Sequence, residues 1–171
     1  MKRKIPNTIT EEEFVKLIKK VRKQHHRIAF ILGFYQAMRV SEIVNIKPED
    51  VKFNEHIIQL KEAKGKKDRH IPIMKPILMG DQTVIRALKH LPIPCGIRAL
   101  QIAFNNYTEK ILGKRLNIHT LRHSGLTWLH IKKKWDIRKV QQFAGHSKIE
   151  TTLIYSHVTP QDLVELEWEE E

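Results

Sequence analysis

The 171-residue chain has little of several things, and each scarcity narrows the reading. It holds one cysteine, Cys95, so no disulfide closes within it, and a small disulfide-stapled secreted fold is excluded. Pro92-Ile93-Pro94-Cys95-Gly96 reads as a turn carrying an incidental or buried thiol rather than a reactive one. No apolar run approaches the roughly 20 residues of a membrane span. The charged start Met1-Lys2-Arg3-Lys4 lacks the apolar stretch of a secretory signal. A cytoplasmic protein with no membrane partner is the expectation. With 7 Gly and 7 Pro scattered along it, the chain shows no linker, low-complexity segment or repeat. Residues 1–171 therefore read as a single domain, long enough to bury a core of its own. Residues 1–9 form an N-terminal extension and 160–171 an acidic C-terminal helix or tail.

Acids are scarce too. Asp and Glu number 19 against 31 Lys and Arg, a formal charge of +12. Six of those acids fall within residues 161–171, which have no Lys or Arg, so the preceding body carries +18. A compact basic body points to a polyanion, most often nucleic acid.

What is present is mostly helical periodicity. Thr10 and Glu13 form a capping box ahead of Phe14, Leu17, Ile18 and Val21 at helical spacing. A second helix runs through Ile28, Ile31, Leu32 and Tyr35, and a short third starts at Ser41 and stops before Pro48. Val51–Phe53 and His56–Leu60 read as a hairpin, and Arg69–Ile73 as a third, edge-type strand in which Pro72 is tolerable. Further helices follow: one capped by Asp81, one ending at Gly113, one from His119 to about Lys134, one from Asp136 to Gly145, and a short one leading to Tyr155. The fold class is α+β, mainly α-helical: a helical bundle with a small three-stranded antiparallel sheet.

Strand transfer on DNA by a tyrosine needs a particular set of groups. A phosphodiester is anionic, so its non-bridging oxygens must be neutralised and the leaving 5′-oxygen must receive a proton. Arginine grips phosphate with a planar fork, lysine can give the proton, and histidine can give or take one. His119-Thr-Leu-Arg122 places two such groups on one helix face. Gly145-His146 precedes Tyr155, and Arg39 heads Arg39-Val-Ser-Glu. Singly, each fits an ordinary surface or core role, and nothing bottom-up selects Lys64 from Lys61, Lys66 and Lys67.

Taken in order, Ala-Met-Arg39-Val-Ser-Glu-Ile, Lys64-Gly-Lys-Lys-Asp-Arg-His-Ile-Pro-Ile, His119-Thr-Leu-Arg122-His-Ser and Gly-His146-Ser-Lys-Ile-Glu-Thr-Thr-Leu-Ile-Tyr155-Ser-His resemble the tyrosine recombinase, or phage integrase, family and its Xer-like catalytic domain. The resemblance spans residues 10–159. It implies a site-specific recombinase or integrase that cleaves and rejoins DNA through a 3′-phosphotyrosyl intermediate on Tyr155, without metal, nucleotide or other cofactor. Arg39 and Arg122 would clamp the scissile phosphate, Lys64 would act as general acid, and His119 would assist proton movement at the tyrosine. His146 would support the phosphate. Lys61, Lys66, Lys67 and Arg69 are candidate phosphate contacts around the hairpin, with an ordinary solvated loop as the alternative. Double-stranded DNA is the implied partner, with dimers or tetramers assembling on it, through residues 160–171 in one version.

Two departures stand out. The family usually has glycine two residues before the first arginine; here Ala37 stands there, harmless unless its φ is positive. No N-terminal core-binding domain is expected, because only about ten residues precede the first helix. Rival readings are a DNA-holding module without catalysis, a type IB topoisomerase-like activity and a metal enzyme. His119 and His123 have i, i+4 spacing, but His-Thr-Leu-Arg-His lacks the metalloprotease glutamate.

Overall fold

The structure is a computed structural model, which describes residues 6–61 and 68–146. Its first helix, α1 (Glu11–Lys20), opens as the capping box predicts. The Glu13 N–H donates to Thr10 Oγ1 at 3.2 Å and the Thr10 N–H to Glu13 Oε2 at 3.0 Å. Helix α2 (Gln24–Tyr35) is buried on nearly every side from Ile28 onward, as a central helix must be. Around it pack α1, α3 (Val40–Asn45), α4 (Thr83–Leu88), α5 (Ile97–Leu112) and α6 (His119–Ile131). Two contacts set how closely α6 lies on α2. A Cβ at Gly125 would overlap the Phe34 carbonyl oxygen, so only glycine fits there, and Gly33 lies against Leu121. Phe14, Phe34, Tyr35 and Trp128 fill the junction of α1, α2 and α6, with Phe14 and Phe34 stacked at 4.4 Å.

A buried acid ties this junction together. Glu11 Oε1 accepts from Tyr35 Oη and from the Ile77 and Leu78 N–H groups, and Oε2 accepts from Trp128 Nε1, all at 2.8–3.0 Å. Burial, and then the Glu11 charge beside it, pushes the Tyr35 hydroxyl well above the usual tyrosine range.

The sheet has three antiparallel strands in the order β1 (Val51–Lys52), β2 (Ile57–Leu60), β3 (Arg69–Pro72), with Val51 opposite Ile58 and Ile58 opposite Ile71. Val51, Ile58, Leu60 and Ile71 form its buried face. Pro72 lies on edge strand β3, where its missing N–H breaks no ladder bond. Helix α7 (Ile137–Ala144) starts at Asp136, whose carboxylate accepts from the Arg138 N–H at 2.8 Å, and packs against α6 and β3. Gly113 and Gly145 end α5 and α7 in the left-handed region, at φ 67° and 69°.

Some boundaries differ from the sequence reading. Asp81 caps nothing: α4 begins at Thr83, whose N–H is already taken by the Gly80 carbonyl at 2.8 Å. Helix α3 begins at Val40, one residue early, because the Glu42 carboxylate caps the Arg39 N–H. Helix α6 stops at Ile131 rather than near Lys134, which sits at φ 54°, where a right-handed helix cannot continue. The helix expected before Tyr155 lies outside the described residues.

Candidate active site

Three chain segments far apart in sequence converge where α2 ends. The turn between α2 and α3 brings Ala37 and Arg39, α6 brings Arg122, and the residue after the α7 cap is His146. Arg122 is 5% exposed. Its Nη1 donates to the Ala37 carbonyl at 2.5 Å and its Nη2 to the Ala144 carbonyl at 2.7 Å, with His146 Nε2 3.4 Å away. Two backbone carbonyls thus fix the plane of one guanidinium before any ligand arrives. They belong to the two turns that carry Arg39 and His146, so the same bonds hold all three groups in register.

Ala37 sits at φ 46°. That is left-handed backbone, where an L-residue with a Cβ is disfavoured by about 1–2 kcal/mol. The turn has the shape a glycine would adopt freely, yet it is formed here with alanine. Its carbonyl is one of the two Arg122 anchors.

Glu42 lies under the cluster, with its side chain 8% exposed. It ion-pairs with Arg39 Nη1 at 2.9 Å and with Arg69 Nη1 at 2.7 Å. Burial pushes its carboxyl up. The Arg69 hydrogen bond and charge, the Arg39 N–H and the Arg122 charge outweigh that and hold it below the usual carboxylate range. Glu42 is therefore an anion at neutral pH that compensates part of a three-arginine cluster. Arg69, its side chain 10% exposed, also donates from Nε to the Phe143 carbonyl at 3.2 Å, tying β3 to α7.

His146 is half-buried. Burial first, then the charges of Arg122, Arg39 and Arg69, and then His123, push its pKa down to about 4. At neutral pH it is a neutral imidazole facing three cations. His123 is pushed in the same direction by burial, His119 and Arg122. An anion entering the cluster would reverse the electrostatic part of both shifts.

Arg39, Arg122 and His146 are thus brought together. His119 is exposed at the start of α6, one turn before Arg122, where its N–H donates to Asn117 Oδ1 at 2.9 Å. Lys61, at the end of β2, pairs with the buried Asp50 carboxylate at 3.1 Å. It lines a cleft of about 560 Å³ that also includes Arg39, Ser41, Glu42 and Lys47. Arg69 points inward to Glu42. Lys64, Lys66, Lys67, Tyr155 and residues 160–171 lie outside the described residues. Sequence reasoning gave no role to Glu42 or to the Ala37 and Ala144 carbonyls. In the sequence Glu42 is marked only as the acid that ends Arg39-Val-Ser-Glu, and a backbone carbonyl leaves no signal in side-chain identity.

The fold class is that of tyrosine recombinase catalytic domains: a helical bundle with one small antiparallel sheet. The crystal structure of XerA recombinase superposes with a TM-score of 0.78 at 24% identity, over 97% of this chain and 65% of that one. A second structure, of XerH site-specific recombinase bound to difH substrate in a pre-cleavage complex, gives 0.68 at 23% identity, over 100% and 56%. In sequence, tyrosine recombinase XerA of Pyrococcus furiosus is 31% identical over 175 residues, covering 94% of this chain and 60% of its own length. Residues 7–162 match the phage integrase family, and the chain belongs to that family. It spans about 60% of the length of the curated relatives it matches. No helix among the described residues is long and apolar enough to cross a membrane.

Proposed function

We propose that this chain is the catalytic portion of a tyrosine recombinase, which cuts and rejoins duplex DNA through a covalent bond to Tyr155. The observation that supports this most is the convergence of Arg39, Arg122 and His146 from three separate segments, with Arg122 pre-oriented by the Ala37 and Ala144 carbonyls. Three arginines around one buried carboxylate leave net positive charge at a spot able to take a phosphodiester.

In this reading the scissile phosphate sits between Arg39 and Arg122, which neutralise its non-bridging oxygens. Neutral His146 can donate one hydrogen bond to it without first losing a proton. The Tyr155 oxygen attacks phosphorus, the new O–P bond forms, and the bond to the 5′-oxygen breaks. Lys64 gives that oxygen its proton, and His119 takes the tyrosine's. The covalent link conserves the bond energy, so rejoining is the same sequence reversed. Duplex DNA is the substrate and partner. Dimers, and tetramers during recombination, assemble on it, with residues 160–171 docking between subunits. Lys61, Lys66 and Lys67 add phosphate contacts, so binding weakens steeply with salt.

The test is a nicked suicide duplex, run beside a pool of candidate sites, with adducts read on a denaturing gel. Wild type gives a protein–DNA adduct, and Tyr155→Phe gives none. Arg122→Gln lowers the rate by about 100-fold or more, the scale of losing a transition-state donor. An adduct that survives Tyr155→Phe overturns the assignment of the nucleophile. DNA binding with no adduct, even after fusion to the clamp domain of a related recombinase, favours a module that only holds DNA.

A further inference from the structure

At the other end of α2, about 18 Å of helix from the arginine cluster, lies a set of groups that the proposed reaction does not use. His25 and His26 occupy the first turn of α2, and Cys95 lies in the turn before α5. One ligand atom from each falls within 4.8 Å of the others, and this is the one such group of three among the described residues. Tetrahedral zinc with bonds of about 2.0–2.3 Å holds its ligand atoms somewhat closer than that. The partly exposed His25 and Cys95 side chains are the ones that would rotate to close the difference.

His26 supplies a second, independent observation. It is 7% exposed, and its Nδ1 is buried with no hydrogen-bond partner. A buried imidazole nitrogen without a partner is disfavoured by about 1–3 kcal/mol. The ring is held among Phe30 and Tyr107, with centroids 6.1 Å away in each case, so it cannot swing out to water without vacating the core. The Cys95 thiol is half-buried and makes only a long contact, 3.8 Å, to the Gly96 carbonyl. Its backbone N–H is held by the Ile93 carbonyl at 2.9 Å, which fixes the turn.

We propose that His25, His26 and Cys95 bind one Zn²⁺ ion, with water in the fourth position. Two imidazoles and a thiolate are a donor set that selects zinc over magnesium or calcium. On binding, the Cys95 thiol loses its proton to solvent and a sulfur–zinc bond forms, while the two rings bind as neutral imidazoles. The thiolate offsets the repulsion from Lys23 and from the positive N-terminus of α2. The ion links α2 to the turn that starts α5. Those two helices otherwise meet through packing alone, with Phe30 against Phe104 and Tyr107. The role is structural and independent of the arginine cluster.

Cobalt(II) titration of the metal-stripped, reduced 171-residue chain tests this. One equivalent produces a thiolate-to-cobalt charge-transfer band and the intense visible bands of a tetrahedral site, and zinc displaces both. Cys95→Ser abolishes the charge-transfer band, and His25→Asn weakens binding by at least about 100-fold, beyond the effect of losing an outer partner. Zinc at a hundredfold excess over its Kd raises the Tm of wild type by about 5–10 °C and leaves that of Cys95→Ser unchanged. His25 and Cys95 are both partly exposed, so these two variants keep the fold even if His26→Asn does not. A wild-type chain without the charge-transfer band overturns the proposal. So does a band that survives Cys95→Ser, or metal binding lost in His119→Asn and kept in Cys95→Ser.

Discussion

Replacing Ala37 by glycine tests whether the turn that holds Arg122 is strained. At φ 46° the alanine is disfavoured by about 1–2 kcal/mol. Glycine removes that penalty. Two effects work against it: greater freedom of the unfolded chain, about 0.4–1 kcal/mol, and loss of a buried methyl group, about 0.8 kcal/mol. Ala37 is 1% exposed, so the methyl loss applies in full. The three contributions nearly cancel, and Ala37→Gly is expected within about 1 kcal/mol of wild type. Ala29→Gly is the control, because Ala29 is equally buried but lies inside α2. There no strain is relieved, and the loss is about 1.3–1.8 kcal/mol. Ala37→Val goes the other way, since a branched Cβ at positive φ adds about 1–3 kcal/mol of strain. It also shifts the carbonyl that accepts from Arg122. Urea unfolding at constant m-value gives all three differences. If Ala37→Gly loses as much as Ala29→Gly, alanine is not strained at this turn and the reasoning fails.

Other expectations rest on the buried charges. Glu42→Gln removes the anion that Arg39 and Arg69 share and lowers stability by about 3–5 kcal/mol in urea unfolding, as breaking a buried pair does. Glu42 has a folded pKa below its unfolded one, so its stabilisation is present above the unfolded value, about 4.3, and is lost as pH falls further; a Glu42→Gln chain lacks that acid-limb slope. His146, with its folded pKa near 4 and an unfolded value of about 6.5, adds stability above the upper value that is lost as pH falls through the lower one. A ring-proton NMR titration should find one histidine titrating near 4 in the free chain, absent in His146→Asn and moved upward by a DNA phosphate. Glu11→Ala strands four donors, of which Tyr35 Oη and Trp128 Nε1 are buried, and costs at least about 2 kcal/mol, a Tm fall of roughly 4–8 °C by calorimetry. A loss under about 1 kcal/mol would mean the four donors find other partners.

The sequence by itself determined what is local. A capping box at Thr10 and Glu13, an Asp136 cap and left-handed glycines at 113 and 145 each need only a few neighbouring residues, and the structure forms all of them. Pro72 on an edge strand follows from its missing N–H, and the small sheet among helices follows from where the period of two replaces that of 3.6. The order of Arg39, His119, Arg122 and His146 was legible as a family pattern.

Only tertiary structure decided which groups meet, because hydrogen bonds between distant segments leave no periodicity. His119 and Arg122 are one turn apart on α6, yet one is exposed and the other 5% exposed, since Arg122 faces the ends of α2 and α7. Arg69 reads as one more base near a lysine-rich loop. The register of β3 and the packing of α7 turn it onto Glu42 and the Phe143 carbonyl instead. Glu11 looks like an ordinary first-turn acid, and becomes a buried acceptor only because Tyr35, Trp128 and the 77–78 backbone close around it. Nothing in the sequence links His25 and His26 to Cys95; the packing of the turn before α5 brings atoms of residues 25, 26 and 95 together. Helix ends and turns supply these meetings, and their positions are fixed by how whole helices pack, which the close approach at Gly125 sets for α6 on α2.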